Sequence, residues 1–371
     1  MLSKVVMVRN TANFLSEYLT ITVETINVNI YFKSESDFTS VKRRDYRVAL
    51  SSEERYYVKL KASYLYYKEN KTQAEIAELF NISRPTLIKL LNDAKKEGIV
   101  TIEVHDTRMG NHNVELEQEI CKKLELKDVK IITPNAGTTE AINSSIGIAA
   151  EQYLNNLLRS GMTVGVGWGR TLEIMARYIK PHSAINDLQL VSLIGGLDST
   201  SANDYAMFAN SLCEIMATNY TNCRLAMMYA PIIAQHEMIA RTFTDSETLS
   251  AVYKLHHNLD IAIVGIDGDP KHSTTVEMEK TLQSIADELE SKKIVGNICS
   301  RFYNEQGELC PLSIEENILT ISPEALRSTP VVIGAAGGEH KVASIIGGAR
   351  AKLFNHLITD ENTAQAIVKR K

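Results

Sequence analysis

The sequence predicts an α/β protein with a small N-terminal helix-turn-helix head, winged-helix-like, followed by a larger α/β domain. Three observations carry this. At 371 residues the chain exceeds one compact module, so two domains are expected. Residues 73–91 read as two short helices joined by a tight turn. Beyond residue 113, strand-length apolar runs alternate with helical periods, the pattern of a mostly parallel sheet with helices on both faces.

Taken in order, residues 1–50 read as an N-terminal extension without sustained periodicity. Within it, Thr, Val and Ile enrichment over 19–32 suggests a strand or two, and Lys42, Arg43, Arg44 and Arg47 form a basic cluster. The head occupies 51–105. Its first helix starts at Ser52, with Tyr57, Leu60, Tyr64 and Tyr67 on one face. A second runs over 72–80 and a third over 83–97, stopped by Gly98, and 99–105 alternates like a strand that would form a wing or pack against the bundle. Residues 106–113 are polar, contain Gly110 and read as a linker. The second domain, 114–371, predicts helices over 114–126, 139–160 and 171–179. Strands are expected over 129–133, 163–167, 188–194, 223–228, 260–266 and 331–335.

The helix-turn-helix is the most specific local signal. Ile76, Phe80, Ile82, Leu87 and Leu90 supply apolar contacts between crossed helices, and Ala77 is small where they approach. Asn81 sits at the turn, where a left-handed backbone is needed that Asn tolerates. Ser83 suits a helix cap and Pro85 the first turn. With that side committed to packing, Ser83, Arg84, Thr86 and Lys89 face outward, donors suited to phosphate oxygens and base edges of double-stranded operator DNA. The formal net charge of -5 means that any attraction to DNA comes from this local face and not from a global field.

Hydrophobic residues at 44% and charged residues at 23% mark a globular chain rather than a disordered one. Five cysteines without CxxC spacing argue against a disulfide framework or structural zinc and for thiols in a reducing compartment. No apolar run is long enough to span a bilayer and no signal-peptide core is found, so the cytoplasm is the expected location.

In the second domain, two glycine-rich turns each lie between a strand and a helix: Gly165-Val-Gly-Trp-Gly-Arg-Thr171 and Ala335-Ala-Gly-Gly-Glu-His-Lys341. Glycines let backbone approach a ligand, and free amides at a helix start favour anions. Arg170 and Lys341 add positive charge, so a phosphorylated metabolite fits. The spacing is neither the dinucleotide fingerprint nor a Walker motif. A third turn at 194–198 would close a pocket from the next strand.

Taken together, these stretches resemble the SorC family of sugar-binding transcriptional regulators over roughly residues 55–370. The likeness rests on the helix-turn-helix with its trailing Glu97-Gly-Ile-Val-Thr-Ile-Glu103, the turn at 164–172, Asp260-Ile-Ala-Ile-Val-Gly-Ile266, and 334–341 followed by 357–361. The resemblance implies an effector domain similar to glucosamine-phosphate isomerases, assembly as a homodimer or homotetramer, and a sugar, phosphosugar or polyol effector. It also implies that Gly169, Arg170, Thr171 and Lys341 hold the effector's phosphate, that Gly195 and Gly196 line the pocket, and that Asn210 and Asn297 meet sugar hydroxyls. Asn297 stands where an acidic residue is common in that family, and Gly265-Ile-Asp-Gly-Asp269 is more acidic than its usual turn.

The histidines lack metal-ligand spacing, no GxSxG elbow is present, and no cofactor is expected. The competing function is a sugar-phosphate isomerase or deaminase carrying a DNA-binding extension, with Asp267 and His272 as its acid–base pair. The helix-turn-helix, which such an enzyme would not need, favours the regulator.

Overall fold

The computed structural model describes residues 2–7, 52–106, 113–197 and 205–370. The chain divides into two compact units, Met1–Gly110 and Asn111–Lys371.

The first unit holds helices Ser52–Tyr67, Gln73–Leu79 and Arg84–Lys96. Local chemistry sets each boundary. Thr72 and Glu75 form a reciprocal capping box, with Glu75 N–H donating to Thr72 Oγ1 at 3.3 Å and Thr72 N–H to Glu75 Oε2 at 2.7 Å. Asn81 takes φ 53°, the left-handed turn expected of it, and Gly98 ends the third helix at φ 72°. Ile76, Phe80, Leu87 and Leu91 are buried, with Ile82 and Leu90 packed at their margin. The first helix buries a different stripe from the tyrosine face expected. Val58, Ala62 and Leu65 go inward, while Tyr57, Leu60, Tyr64 and Tyr67 are only partly buried. A tyrosine keeps its hydroxyl near water and packs by its ring, so the smaller aliphatic residues take the core.

The wing strand is Thr101–Asp106, paired antiparallel with Leu2–Met7. The first residues of the chain are therefore a strand where no element was expected. The suggested strand over 19–32, the basic cluster at 42–47 and most of the linker, 107–112, lie outside the described residues.

The second unit is built on a seven-stranded sheet in the order Asp128–Ile132, His356–Asp360, Val331–Ala335, Ile261–Gly265, Thr163–Val166, Gln189–Ser192 and Arg224–Ala226. Every pairing is parallel. Alternate residues of one strand enter opposite cores: Ile261 and Ile263 meet the helices Thr139–Leu157, Arg170–Tyr178 and Ala209–Ala217. Ala262 and Val264 meet Val114–Leu124, Glu247–His256 and Val342–Arg350. Burial on both faces makes these strands almost continuously apolar, which is why periodicity reveals them. It does not reveal His356–Asp360 or the antiparallel pair Ile294–Ile298 and Arg301–Asn304.

From Thr163–Val166 the chain steps outward to Gln189–Ser192 and Arg224–Ala226, then returns to the other side of Thr163–Val166 as Ile261–Gly265. The connections leaving these neighbouring strands diverge to opposite faces and open a crevice at their carboxyl ends, the place where open α/β sheets hold ligands.

Candidate functional site

On the first unit, Ser83, Arg84, Thr86 and Lys89 are all exposed, opposite the buried Leu87, Leu91 and Ala94. They divide by what they already touch. Thr86 N–H donates to Ser83 Oγ at 3.2 Å, and the two hydroxyls lie 2.7 Å apart. Both side chains thus close the helix start. Arg84 and Lys89 are in none of the ion pairs found among the described residues and present their charge outward. Lys95, by contrast, rests 5.6 Å from the Tyr67 ring centre.

On the second unit, the sheet order brings all three glycine-bearing turns to one edge. They leave the carboxyl ends of Thr163–Val166, Gln189–Ser192 and Val331–Ala335, with Ile266 and Asp267 leaving Ile261–Gly265 between them. Gly169 is the residue before helix Arg170–Tyr178, at φ 127° with open space where a Cβ would stand, and no side chain caps that helix. Its first amides therefore lack a side-chain cap, the arrangement that can receive an anion. Arg170 is exposed, and Thr171 Oγ1 donates to Asn143 Oδ1 at 3.2 Å.

Lys341 reaches the same edge from another strand. Its ammonium donates to Ile266 O at 2.9 Å. Burial pulls its pKa below the usual lysine value, Asp267 opposes this and the like charge of Arg170 adds to it. The charge of Arg170 therefore acts on the Lys341 ammonium, and an anion there would offset it. Lys341 ends the 3-10 turn Glu339–Lys341 immediately before helix Val342–Arg350.

The second glycine turn differs from expectation in its amides. Gly338 N–H donates to Asp360 Oδ2 at 2.9 Å and to Thr363 Oγ1 at 2.7 Å. A buried carboxylate from the neighbouring strand already holds the donor read as free for a ligand. Asp360 also caps the last helix, its Oδ1 accepting from Thr363 N–H at 3.0 Å.

The remaining candidates are more structural. A Cβ on Gly195 would stand 2.5 Å from Ala230 O, so this glycine allows close backbone approach, whereas Gly196 faces open space. Asn210 accepts from Ser192 Oγ and Met228 N–H and donates to Met228 O at 3.2 Å, tying two strand ends together. Asn297 is buried and engaged at both ends, Nδ2 lying 3.4 Å from Asp267 Oδ2 and Oδ1 accepting from Ser300 N–H at 3.3 Å.

Asp267 is likewise committed. Its Oδ2 accepts from Ser273 Oγ at 2.6 Å, Thr275 N–H at 3.1 Å and Thr275 Oγ1 at 2.9 Å, and its Oδ1 from Gly268 N–H at 2.9 Å. His272 pairs with Asp269, Nδ1 to Oδ2 3.0 Å, so the Asp267–His272 acid–base pair does not form. A separate cavity of about 340 Å³ is lined by Arg241, His256, Arg301, Glu315 and Thr320 among others, and by none of the eight effector candidates. All five cysteines are free thiols, and among the described residues no helix is long and apolar enough to cross a membrane.

Comparison with known proteins bears on the family and the fold. Residues 109–369 match the family model described as "Putative sugar-binding domain". The chain is 28% identical to the sorbitol operon regulator of Klebsiella pneumoniae, over 84% of this chain and 97% of that one. It is 27% identical to the deoxyribonucleoside regulator of Bacillus subtilis, over 85% and 98%. The crystal structure of the full-length Klebsiella pneumoniae regulator superposes with a TM-score of 0.63 at 27% identity, covering 86% of this chain and all (100%) of that one. A transcriptional regulator from Streptococcus pneumoniae gives 0.62 at 28%, covering 69% and 96%.

Proposed function

Because the chain belongs to the SorC family of sugar-binding transcriptional regulators, we propose that it is a DNA-binding regulator of carbohydrate genes whose hold on its operator is switched by a phosphorylated sugar. The observation that carries the effector class is that Lys341, whose ammonium donates to Ile266 O, and the uncapped helix start at Arg170 stand at the same carboxyl-end edge of the sheet. Two cations and free amides match a phosphate better than a neutral polyol. In this reading Gly169, Arg170, Thr171 and Lys341 receive the phosphate, and Gly196 gives room for the sugar. Arg84 and Lys89 meet the operator, with Ser83 and Thr86 holding the helix start that presents them.

An effector moves such an equilibrium only by binding one arrangement better than the other, typically by 1–3 kcal/mol of coupling. Reading two half-sites calls for two heads, which supports assembly as a homodimer or homotetramer. The isomerase alternative loses its proposed acid and base to the Asp267 and Asp269 contacts above.

The test uses the full-length protein. Thermal melting against sugar phosphates, free sugars and polyols identifies a ligand, because only ligands of the native state raise the midpoint. Operator binding is then measured with and without it. A phosphosugar that raises the midpoint and changes operator affinity supports the proposal. Stabilisation by free sugars or polyols alone would refute the phosphate assignment, and turnover of the sugar phosphate would favour the enzyme.

A further inference from the structure

Ile88 stands in an unfavourable place for an isoleucine. On helix Arg84–Lys96, where Leu87, Leu91 and Ala94 take the core, it is 41% exposed and joins neither apolar cluster of the head. A β-branched side chain also loses rotamer freedom in a helix, so a straight polar residue would suit this surface better. Its neighbours suggest what covers it. Arg84 lies one turn before it on the same face and Lys89 directly after it, both exposed. A complementary surface must therefore offer negative charge around a small apolar island. A protein surface rich in apolar contacts would leave the two cations without partners. The major groove of DNA supplies both, with phosphates at its rims and the C5 methyl of thymine on its floor.

Resting on the DNA-reading assignment of this helix, we propose that Ile88 is a specificity-determining residue that reads a thymine methyl in the operator. Four residues of α-helix rise about 6 Å, close to two base steps of about 3.4 Å. The thymine therefore lies about two base pairs from the pair met by Arg84.

The experiment begins by enriching duplexes from a random pool with the full-length protein. Each thymine of the enriched half-site is then replaced by deoxyuridine, which lacks only the methyl. Dissociation constants are measured for wild type, Ile88→Val and Ile88→Ala, with melting curves to verify folding. One uracil position should weaken the wild type by about fourfold per half-site, the worth of one buried methyl. Ile88→Val should keep that sensitivity and Ile88→Ala should lose it, at that position alone. The proposal is overturned if Ile88→Ala shows the wild-type uracil profile. It is equally overturned if the variant instead lowers the mass seen by light scattering, which would make Ile88 a contact between copies. Failure to enrich any sequence would remove the DNA-reading assignment itself, and this proposal with it.

Discussion

Replacing Lys341 by Met removes one charge from the crevice while nearly keeping the volume of the side chain. The ammonium has three donors, and one is spent on Ile266 O at 2.9 Å. In the proposed site the others would remain for the effector's phosphate. A charge-assisted contact contributes about 1.5–3 kcal/mol, so the loss should weaken a phosphosugar by about tenfold to a hundredfold or more. Stability should move less, because the lysine is held below its ordinary pKa by burial and so already carries a desolvation cost. Calorimetry of effector binding, with melting curves of the free proteins, separates the two effects. Operator binding without effector should stay at the wild-type level. The same shift sets the pH dependence. With a folded pKa below the usual lysine value of 10.5, the ammonium is lost at a lower pH than an exposed lysine's. As pH rises, wild-type affinity should therefore begin to fall before an exposed lysine would titrate, and the Met variant should not follow it. Equal effector affinity in Lys341→Met and wild type would refute the anion site.

Arg84→Ala and Lys89→Ala should weaken operator binding at unchanged melting temperature, the first by about 1–3 kcal/mol and the second with a smaller salt slope, as gel shifts at two salt concentrations would read. Ser83→Ala should instead cost about 1 kcal/mol of head stability, since its hydroxyl caps the helix, and thermal melting distinguishes the two classes. Gly195→Ala places a Cβ 2.5 Å from Ala230 O and 2.7 Å from Pro231 O, backbone that cannot swing aside, and urea titration should show a loss of about 1–3 kcal/mol. His256 is buried, its Nε2 donates to Ser192 O at 2.8 Å, and burial pushes its pKa down to about 4 from 6.5. Between those values the unfolded chain binds the extra proton, so stability should rise with pH across that window. The full contribution is about 3 kcal/mol, and a His256→Gln variant should show a flatter profile in pH-dependent melts.

The helix-turn-helix was legible in the sequence because everything that shapes it lies within a few turns of chain. Thr72 caps with Glu75, Asn81 takes the left-handed turn, Ser83 caps with Thr86 and Pro85 enters the first turn. The strands Thr163–Val166, Ile261–Gly265 and Val331–Ala335 were legible for a different reason, being apolar on both faces. The strand His356–Asp360 was not, since its five residues include a histidine and an aspartate that find their partners, Tyr153 and Gly338, only in the folded protein. The same holds at the chain's start, where Leu2–Met7 is a strand by virtue of a partner at Thr101–Asp106. For the site, the glycine turns singled out Arg170 and Lys341, but only the strand order brings the turns that carry them to the same end of the sheet. Only that order, too, sets Asp360 against the Gly338 amide, while Asn297 meets Asp267 from the separate pair Ile294–Ile298 and Arg301–Asn304. Caps and periodicity are energies of near neighbours and are written in the local sequence. Which donors are spent and which charges converge depends on pairing between segments far apart in the chain, which the fold alone decides.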